Sequence, residues 1–355
     1  MKRRSILIKV TAWIFLIPAS FFLAFVLFLT VADYHPAEKE AIRIIPRKGV
    51  VISKMKREIT FLTWNIGYAG LGQKMDFFYE GGTRVRPERN EFEGYMEGIS
   101  RFLASNDSVD FVFIEEADVH SRRSYFTDEV SAIAKALHGR ISLFAKNYDC
   151  RFVPVPLDDP MGRVVSGIAC YPRFIPGSAV RIDLGTRFSW PKQLVMLKRC
   201  ILVMRYELTP GNQLVVVTLH NSTFDKEGEL RKKELQKLND LLTKEYSKGN
   251  YVIAGGDWNI NPRGFRPETI ITGDRSKAID PPLDPAFLPG WQFAFDAAAP
   301  SNRDVEGPYL KGKTKTTIID FFVVSPNVGV QWVRTLPTGF RCSDHQPVIM
   351  KVRLK

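Results

Sequence analysis

The chain opens on an unbroken apolar run and then changes rhythm. Residues 10–32 (VTAWIFLIPASFFLAFVLFLTVA) are 23 consecutive positions without a charge, enough at 1.5 Å per residue to cross about 30 Å of hydrocarbon. The pattern predicts one transmembrane helix. Spanning helices tolerate a proline such as Pro18, and Lys9 can reach the interface along its own stem. From residue 57 onward the apolar positions fall into short β-rich runs separated by turns, with strands predicted over 59–65, 111–115, 167–171, 200–207, 213–220, 251–254, 318–324 and 348–352. Two stretches, 89–103 and 229–246, instead place apolar residues at helical spacing. In the second, Leu230, Leu235, Leu238, Leu241 and Leu242 share a broad face among Lys and Glu. Many strands with few helices between them imply two packed sheets with helices outside.

The ends of the apolar run set the organisation. A cleaved signal peptide competes with the anchor, because Thr30-Val31-Ala32 would serve as a small-residue cleavage site. The run is longer than the roughly 7 to 15 residues of a signal core, which favours the uncleaved anchor. The chain then divides into a basic end (1–9), an anchor (10–32), a linker (33–56) and one large domain (57–355). Lys2, Arg3 and Arg4 precede the anchor while Lys39, Arg43 and Arg47 follow it. The positive-inside bias is thus diluted, and the expectation is a cytoplasmic N-terminus with the domain outside the cytoplasm, on the cell membrane.

Charge changes the picture only once it is located. With 50 Lys+Arg against 38 Asp+Glu in 355 residues, the net +12 suggests nucleic acid. Residues 1–56, however, carry ten basic and three acidic side chains, leaving the domain at only +5. Tight duplex binding rests on several phosphate contacts from Lys and Arg, so the excess charge does not argue for it. The cysteines Cys150, Cys170, Cys200 and Cys342 form no CxxC pair, which argues against thiolate zinc. Cys170 and Cys200 sit in apolar strand-like runs and read as buried thiols, while disulfides stay open for a domain outside the cell.

The candidate chemistry lies at the strand ends. Five polar clusters follow or close an apolar run: TWNIGYAG at Asn65, FIEEAD at Glu116, VVVTLHNST at His220, VIAGGDWNINP at Asp257 and Asn259, and TIIDFFVVS with RCSDHQPV, holding Asp320, Ser343, Asp344 and His345. Each alone has an ordinary explanation as a turn, a solvated acid pair or a core histidine. Buried strands that end in Asp, Glu, His or Asn must pair or hydrate those groups, so five such ends together point to one shared polar pocket.

Taken in order, WNIG, the EE acid pair, the TLH histidine, GGDWN, the IDFFVVS aspartate and SDHQP resemble the endonuclease/exonuclease/phosphatase superfamily with its DNase I-like fold, over residues 57–355. The segments DFFYEGG, RRSYFTDE and FSWPK also look like those of bacterial membrane-anchored members. The resemblance implies an α/β, four-layer sandwich of two mixed β-sheets flanked by helices, here preceded by one transmembrane helix. It further implies a metal-dependent phosphoric ester hydrolase. Glu116 would hold Mg2+, or Mn2+, with Asn65 and Asp344 beside it, since hard cations take carboxylate and carbonyl oxygens. His345, oriented by Asp320, would act as general base or phosphate contact. Asp257 would orient water or protonate the leaving group, and Asn259 and His220 would hold phosphoryl oxygens.

One departure narrows the reading. Several apurinic-site nucleases of the superfamily carry an acid two residues after the WN asparagine, where this chain has Gly67. Sphingomyelinase-like and phosphatase-like branches stay open. The expected partners are a phosphoester substrate, lipid or nucleic acid, and the membrane through the N-terminal helix, with no protein partner implied. Arg84, Arg86, Arg122 and Arg123 are candidate phosphate ligands or surface charges. GPYLKGKT at 307–314 matches a phosphate-loop pattern, but it lies between a polar stretch and a strand-like one, where no helix N-terminus would cradle phosphate. A non-catalytic binding protein on the same fold is the reading from another class. It sits poorly with a set in which Glu116, Asp257, Asn259, Asp320 and His345 are all present.

Overall fold

The computed structural model describes residues 2–45, 55–209, 211–223, 228–266 and 282–355. Strand parity explains its layers. On β2 (Glu58–Asn65), Ile59 and Phe61 point to one side and Leu62 and Trp64 to the other, and both sides are buried. A strand buried on two faces needs cover on two faces. The inner side meets a second sheet, and the outer side meets the helices α2 (Arg89–Ser105) and α3 (Glu129–Ala136).

The first sheet has six strands in the order β14 (Val328–Thr335), β15 (Val348–Leu354), β2, β3 (Phe111–Asp118), β5 (Gly162–Pro172) and β4 (Leu143–Val153). The second has seven: β1 (Lys39–Ala41), β6 (Ser178–Asp183), β7 (Cys200–Thr209), β8 (Asn212–His220), β9 (Tyr251–Asp257), β13 (Asp320–Val324) and β10 (Gln292–Ala294). One pair in each sheet is parallel, β2 with β3 and β8 with β9, and the other pairs are antiparallel. Both sheets are therefore mixed. The inner core between them holds Phe61, Phe111, Phe113, Met204, Val216, Ile253, Phe322 and Met350. Helix α4 (Glu229–Ser247) covers the seven-stranded sheet through Leu238 and Leu242, completing four layers. A short pair, β11 (Asn302–Arg303) with β12 (Thr316–Thr317), stands at the rim.

Most predicted elements are present, and the differences have reasons. Strands β4, β6, β10 and β14 and helix α3 went unseen. β4 carries Lys146, Asp149 and Arg151 and shows no clean alternation, while β14 is largely exposed on one side. The run 318–324 becomes a strand only at Asp320. The segment 307–314 ends in a turn followed by β12 rather than a helix. All four cysteines are free, and Cys150, Cys170 and Cys200 are buried.

The N-terminal region differs most from expectation. Helix α1 (Lys2–Val31) contains one stretch, Lys9–Val31, long and apolar enough to cross a membrane. The segment expected to be a linker over 33–56 is not detached where it is described. Lys39–Ala41 adds as β1 to the edge of β6, giving that edge a partner. A three-residue strand is too short to leave a periodicity in the sequence. Arg47 and most of the second half of that segment lie outside the described residues.

Candidate active site

The same parity that fills the inner core places polar groups where the core ends. On β8, Leu214 and Val216 face inward, so Thr218 and His220 do too; on β9, Ile253 faces inward and so does Asp257. On β13 the inward set is Asp320, Phe322 and Val324. In register, His220 stands beside Asp257, and Asp257 beside Asp320. Three neighbouring strands thus end in one row. Gly256 makes the row possible, since its φ is +144° and a Cβ there would lie 2.0 Å from the Leu219 carbonyl oxygen.

The six-stranded sheet supplies the opposite wall. Asn65 continues the inward series of Ile59, Phe61 and Thr63, and its amide Nδ2 donates to Glu116 at 3.2 Å and to Asp257 at 3.0 Å. Glu116 would by parity point outward with Val112 and Ile114. The register slips between Ile114 and Ala117, and Glu116 takes a positive φ of 53°. This bulge re-aims its carboxylate into the cleft, where the side chain keeps 25% exposure. Its neighbour Glu115 stays between the sheets, fully buried, accepting from Thr63 Oγ1 at 2.9 Å and Thr218 Oγ1 at 3.3 Å.

His345 enters on the loop before β15. The Ser343 hydroxyl donates to the Asn65 carbonyl at 2.7 Å, and Trp64 Nε1 donates to the His345 carbonyl at 3.0 Å, pinning the loop to β2. The ring then reaches across to the other sheet, with Nδ1 2.8 Å from Asp320 Oδ2, a carboxylate that also accepts from Ser301 Oγ at 2.7 Å. Its Nε2 lies 3.9 Å from both Asp257 and Asp344 and 3.0 Å from the Asn302 amide. Gly67 stands behind Asp344: its N–H donates to Asn65 Oδ1, its φ is +51°, and a Cβ would lie 2.9 Å from Asp344 Oδ1. An acidic side chain at 67 would collide with that carboxylate.

Electrostatics separate these groups. Burial alone would neutralise His345, but Asp320, Asp344 and Asp257 outweigh it and hold its pKa well above the usual histidine value. His220 is driven well below it by burial and then by the charges of Arg199 and His345. Asp257 is pushed up to about 7, chiefly by burial, with Asp320 adding to the shift against His345. Burial likewise raises Asp344, and raises Glu115 well above the carboxylate range.

All eight expected residues therefore converge on one cleft of about 320 Å³. Glu116, His220, Asp257, Asn259, Asp344 and His345 line it, whereas Asn65 and Asp320 stand one layer behind and act through their neighbours. Asn259 is held at a φ of 51°, its amide donating to the Asn221 carbonyl. The four arginines singled out in the sequence are engaged with acids: Arg84 with Glu91, Arg86 and Arg122 with Asp159, and Arg123 bidentately with Asp118. Of them only Arg123 lines the cleft. The sequence reading missed Arg199, a cleft-lining residue 5% exposed whose guanidinium donates to the His220 carbonyl at 3.4 Å. It also missed Asn302. Arg199 hides beside Lys198 in an ordinary basic loop, and Asn302 in a two-residue strand, so neither leaves a signal.

The donor set suits a hard cation. Glu116, Asp344 and Asp257 bring carboxylate oxygens to one cleft, with no lysine or arginine within ion-pair distance of any of them among the described residues. Asp257, Asp320 and His345 also lie within 4.8 Å of one another, but there the imidazole already uses Asp320. Asn65 gives its oxygen to Gly67, so it would have to turn its amide to become a ligand.

No protein-family model matches the chain, and no curated protein matches it. Solved structures do. An endonuclease/exonuclease/phosphatase from Beutenbergia cavernae is similar at a TM-score of 0.57 and 18% identity, over 84% of this chain and 72% of that one. A second, from Bacteroides vulgatus, gives 0.51 and 15% over 84% of this chain and 100% of that one. TDP2 from D. rerio, complexed with single-strand DNA product, gives 0.51 and 14% over 83% and 99%. The fold is that of the endonuclease/exonuclease/phosphatase proteins, as the order of the strand-end motifs implied.

Proposed function

We propose that this chain is a membrane-anchored, divalent-metal-dependent phosphoesterase that hydrolyses a phosphodiester or phosphomonoester with an activated water. The observation that carries the reading is the meeting, in one cleft, of the row His220–Asp257–Asp320 from one sheet with Asn65 and Glu116 from the other. Glu116 and Asp344 would hold Mg2+ or Mn2+, with Asn65 after rotation of its amide. When bound, the ion would neutralise phosphoryl charge and lower the pKa of water.

The chain's own groups supply the rest. His345, with Nδ1–H given to Asp320, presents a charged Nε2–H to a phosphoryl oxygen, with the Asn302 amide, whose nitrogen lies 3.0 Å from Nε2, turned to offer its oxygen. Asp257, with a pKa pushed up to about 7, is matched to exchange a proton with water near neutral pH. Arg199, Asn259 and neutral His220 stabilise the charge that develops at phosphorus. Hydrolysis then proceeds as one in-line displacement without a covalent intermediate.

The anchor favours an envelope or lipid phosphoester on the outer side of the cell membrane, with extracellular nucleic acid as the second reading and a non-catalytic binding role as the third. Full-length protein in detergent is expected to hydrolyse an aryl phosphodiester or monoester with Mg2+ or Mn2+ and to stop in EDTA. Glu116→Ala and His345→Ala should each lower turnover about 100-fold or more. Turnover within a few-fold of the parent in both variants would place the hydrolysis outside this cleft, and a parent that hydrolyses neither ester with either metal would leave the binding role.

A further inference from the structure

The last turns of α1 do not leave the domain free. Phe21, Phe22 and Leu23 are 73%, 66% and 66% exposed, as lipid-facing residues would be, whereas Leu29 is only 6% exposed. Phe25 packs edge-to-face on Phe152 at 6.0 Å between centroids, and Trp190 Nε1 lies 3.4 Å from Thr30 Oγ1. Directly after the helix, Asp33 pairs with Lys198 at 3.1 Å, both side chains 4% exposed, and the Tyr34 ring lies under Lys146 at 4.1 Å. A buried ion pair, a cation–π contact and strand β1 together fix the helix direction relative to the domain.

That fixed direction sets a depth. Phe25 is six residues inside Val31, or about 9 Å along the helix axis. If the stretch Lys9–Val31 crosses a bilayer, the Phe152 ring packed on Phe25 lies just below the boundary of headgroups and acyl chains, at the roughly 5–10 Å depth to which interfacial apolar side chains bury. The segments that touch the helix also carry exposed apolar side chains, Leu157 at 88% and Trp190 at 59%, beside exposed Arg151 and Lys192. The same two segments build one wall of the catalytic cleft: Tyr148 and Met161 come from the β4–β5 hairpin, and Met196, Leu197 and Arg199 from the loop that follows Trp190. The membrane contact and the lip of the cleft are therefore one structure.

We infer that the cleft is held against the bilayer surface by the Phe152–Leu157–Trp190 rim and takes its phosphoester directly from a membrane lipid. The inference rests on the phosphoesterase reading and selects among its substrates. It is tested with full-length chain in phosphatidylcholine–phosphatidylglycerol vesicles, assayed on those lipids by headgroup release, on a soluble aryl phosphoester and on single-stranded DNA. The parent should hydrolyse vesicle lipid. The double variant Leu157→Asp, Trp190→Asp should lose at least tenfold on vesicle lipid while staying within about twofold on the aryl ester. A fluorophore on Leu157→Cys should be quenched by lipids spin-labelled near the headgroup.

Equal lipid turnover in parent and rim variant, an unquenched fluorophore, or hydrolysis of DNA and aryl ester without lipid would overturn the inference and leave the phosphoesterase standing. Inactivity on all three substrates, aryl ester included, would remove both.

Discussion

The two histidines of the cleft are almost equally buried, His220 at 2% and His345 at 4% exposure, yet their pKa values are pushed in opposite directions. His220 ends a regular strand of the seven-stranded sheet. Its Nδ1 has no partner and its Nε2 lies 3.4 Å from Asp257 and 3.8 Å from Glu116, yet burial first, and then the cations Arg199 and His345, lower its pKa. His345 arrives on a loop pinned to the six-stranded sheet and reaches three aspartates. The comparison shows that burial pushes both rings toward the neutral form and that only His345 has the partners to reverse it. The loop exists to bring that imidazole across to carboxylates of the opposite sheet.

The largest effect should come from making the second histidine like the first. Asp320→Asn keeps the shape but removes the charge that favours imidazolium, so His345 should titrate at lower pH than in the parent, read by NMR of labelled histidine in EDTA. Turnover on an aryl phosphoester should fall by about 100-fold or more. An unmoved titration would show that Asp344 and Asp257 alone set the charge of His345.

The reverse change should be smaller. Arg199→Met removes the cation beside His220, so the His220 pKa should rise. Loss of one charge-assisted contact to substrate, about 1.5–3 kcal/mol, corresponds to a drop of roughly 10- to 150-fold in kcat/KM. Because Arg199 is assigned to charge that develops at phosphorus, the loss should fall mainly on kcat. A loss confined to KM would make Arg199 a holder of the substrate's anion that acts equally in ground and transition states instead.

How much of this was legible follows from the same geometry. His220, Asp257 and Asn65 close apolar runs and Asp320 opens one, and strand parity carries the alternation of the core straight into the site, so their convergence could be read from the sequence. Two packed sheets with helices outside could be read from the many short apolar runs with few helical ones between them, while the four layers and mixed sheets came from family resemblance. Glu116 is different. Parity favours Glu115 as the inward acid, and only a bulge with positive φ puts Glu116 in the cleft, so the choice came from family resemblance rather than periodicity. Arg199, Asn302 and the packing of Asp33 and β1 depend on pairings distant in sequence, which no local pattern announces.

The smallest effect is expected where the two sheet ends touch through a neutral acid. Glu115 accepts hydroxyls from Thr63 of one sheet and Thr218 of the other, and its second oxygen has no partner. Burial first, and then Asp320, raise its pKa well above the usual carboxylate range, so it works as an uncharged group. Glu115→Gln replaces it with an uncharged isostere and should keep aryl ester turnover within a few-fold, while Glu116→Gln loses about 100-fold. The sign of the pH dependence follows from linkage. A carboxyl whose folded pKa exceeds its unfolded value contributes stability that is complete below the unfolded pKa and is lost as pH rises toward the folded one. In denaturant titrations with EDTA, the parent should therefore lose ground to Glu115→Gln as pH rises from about 4.5. A difference independent of pH would mean that Glu115 is ionised in the fold, and that the sheet ends are joined by a charge rather than by a shared neutral acid.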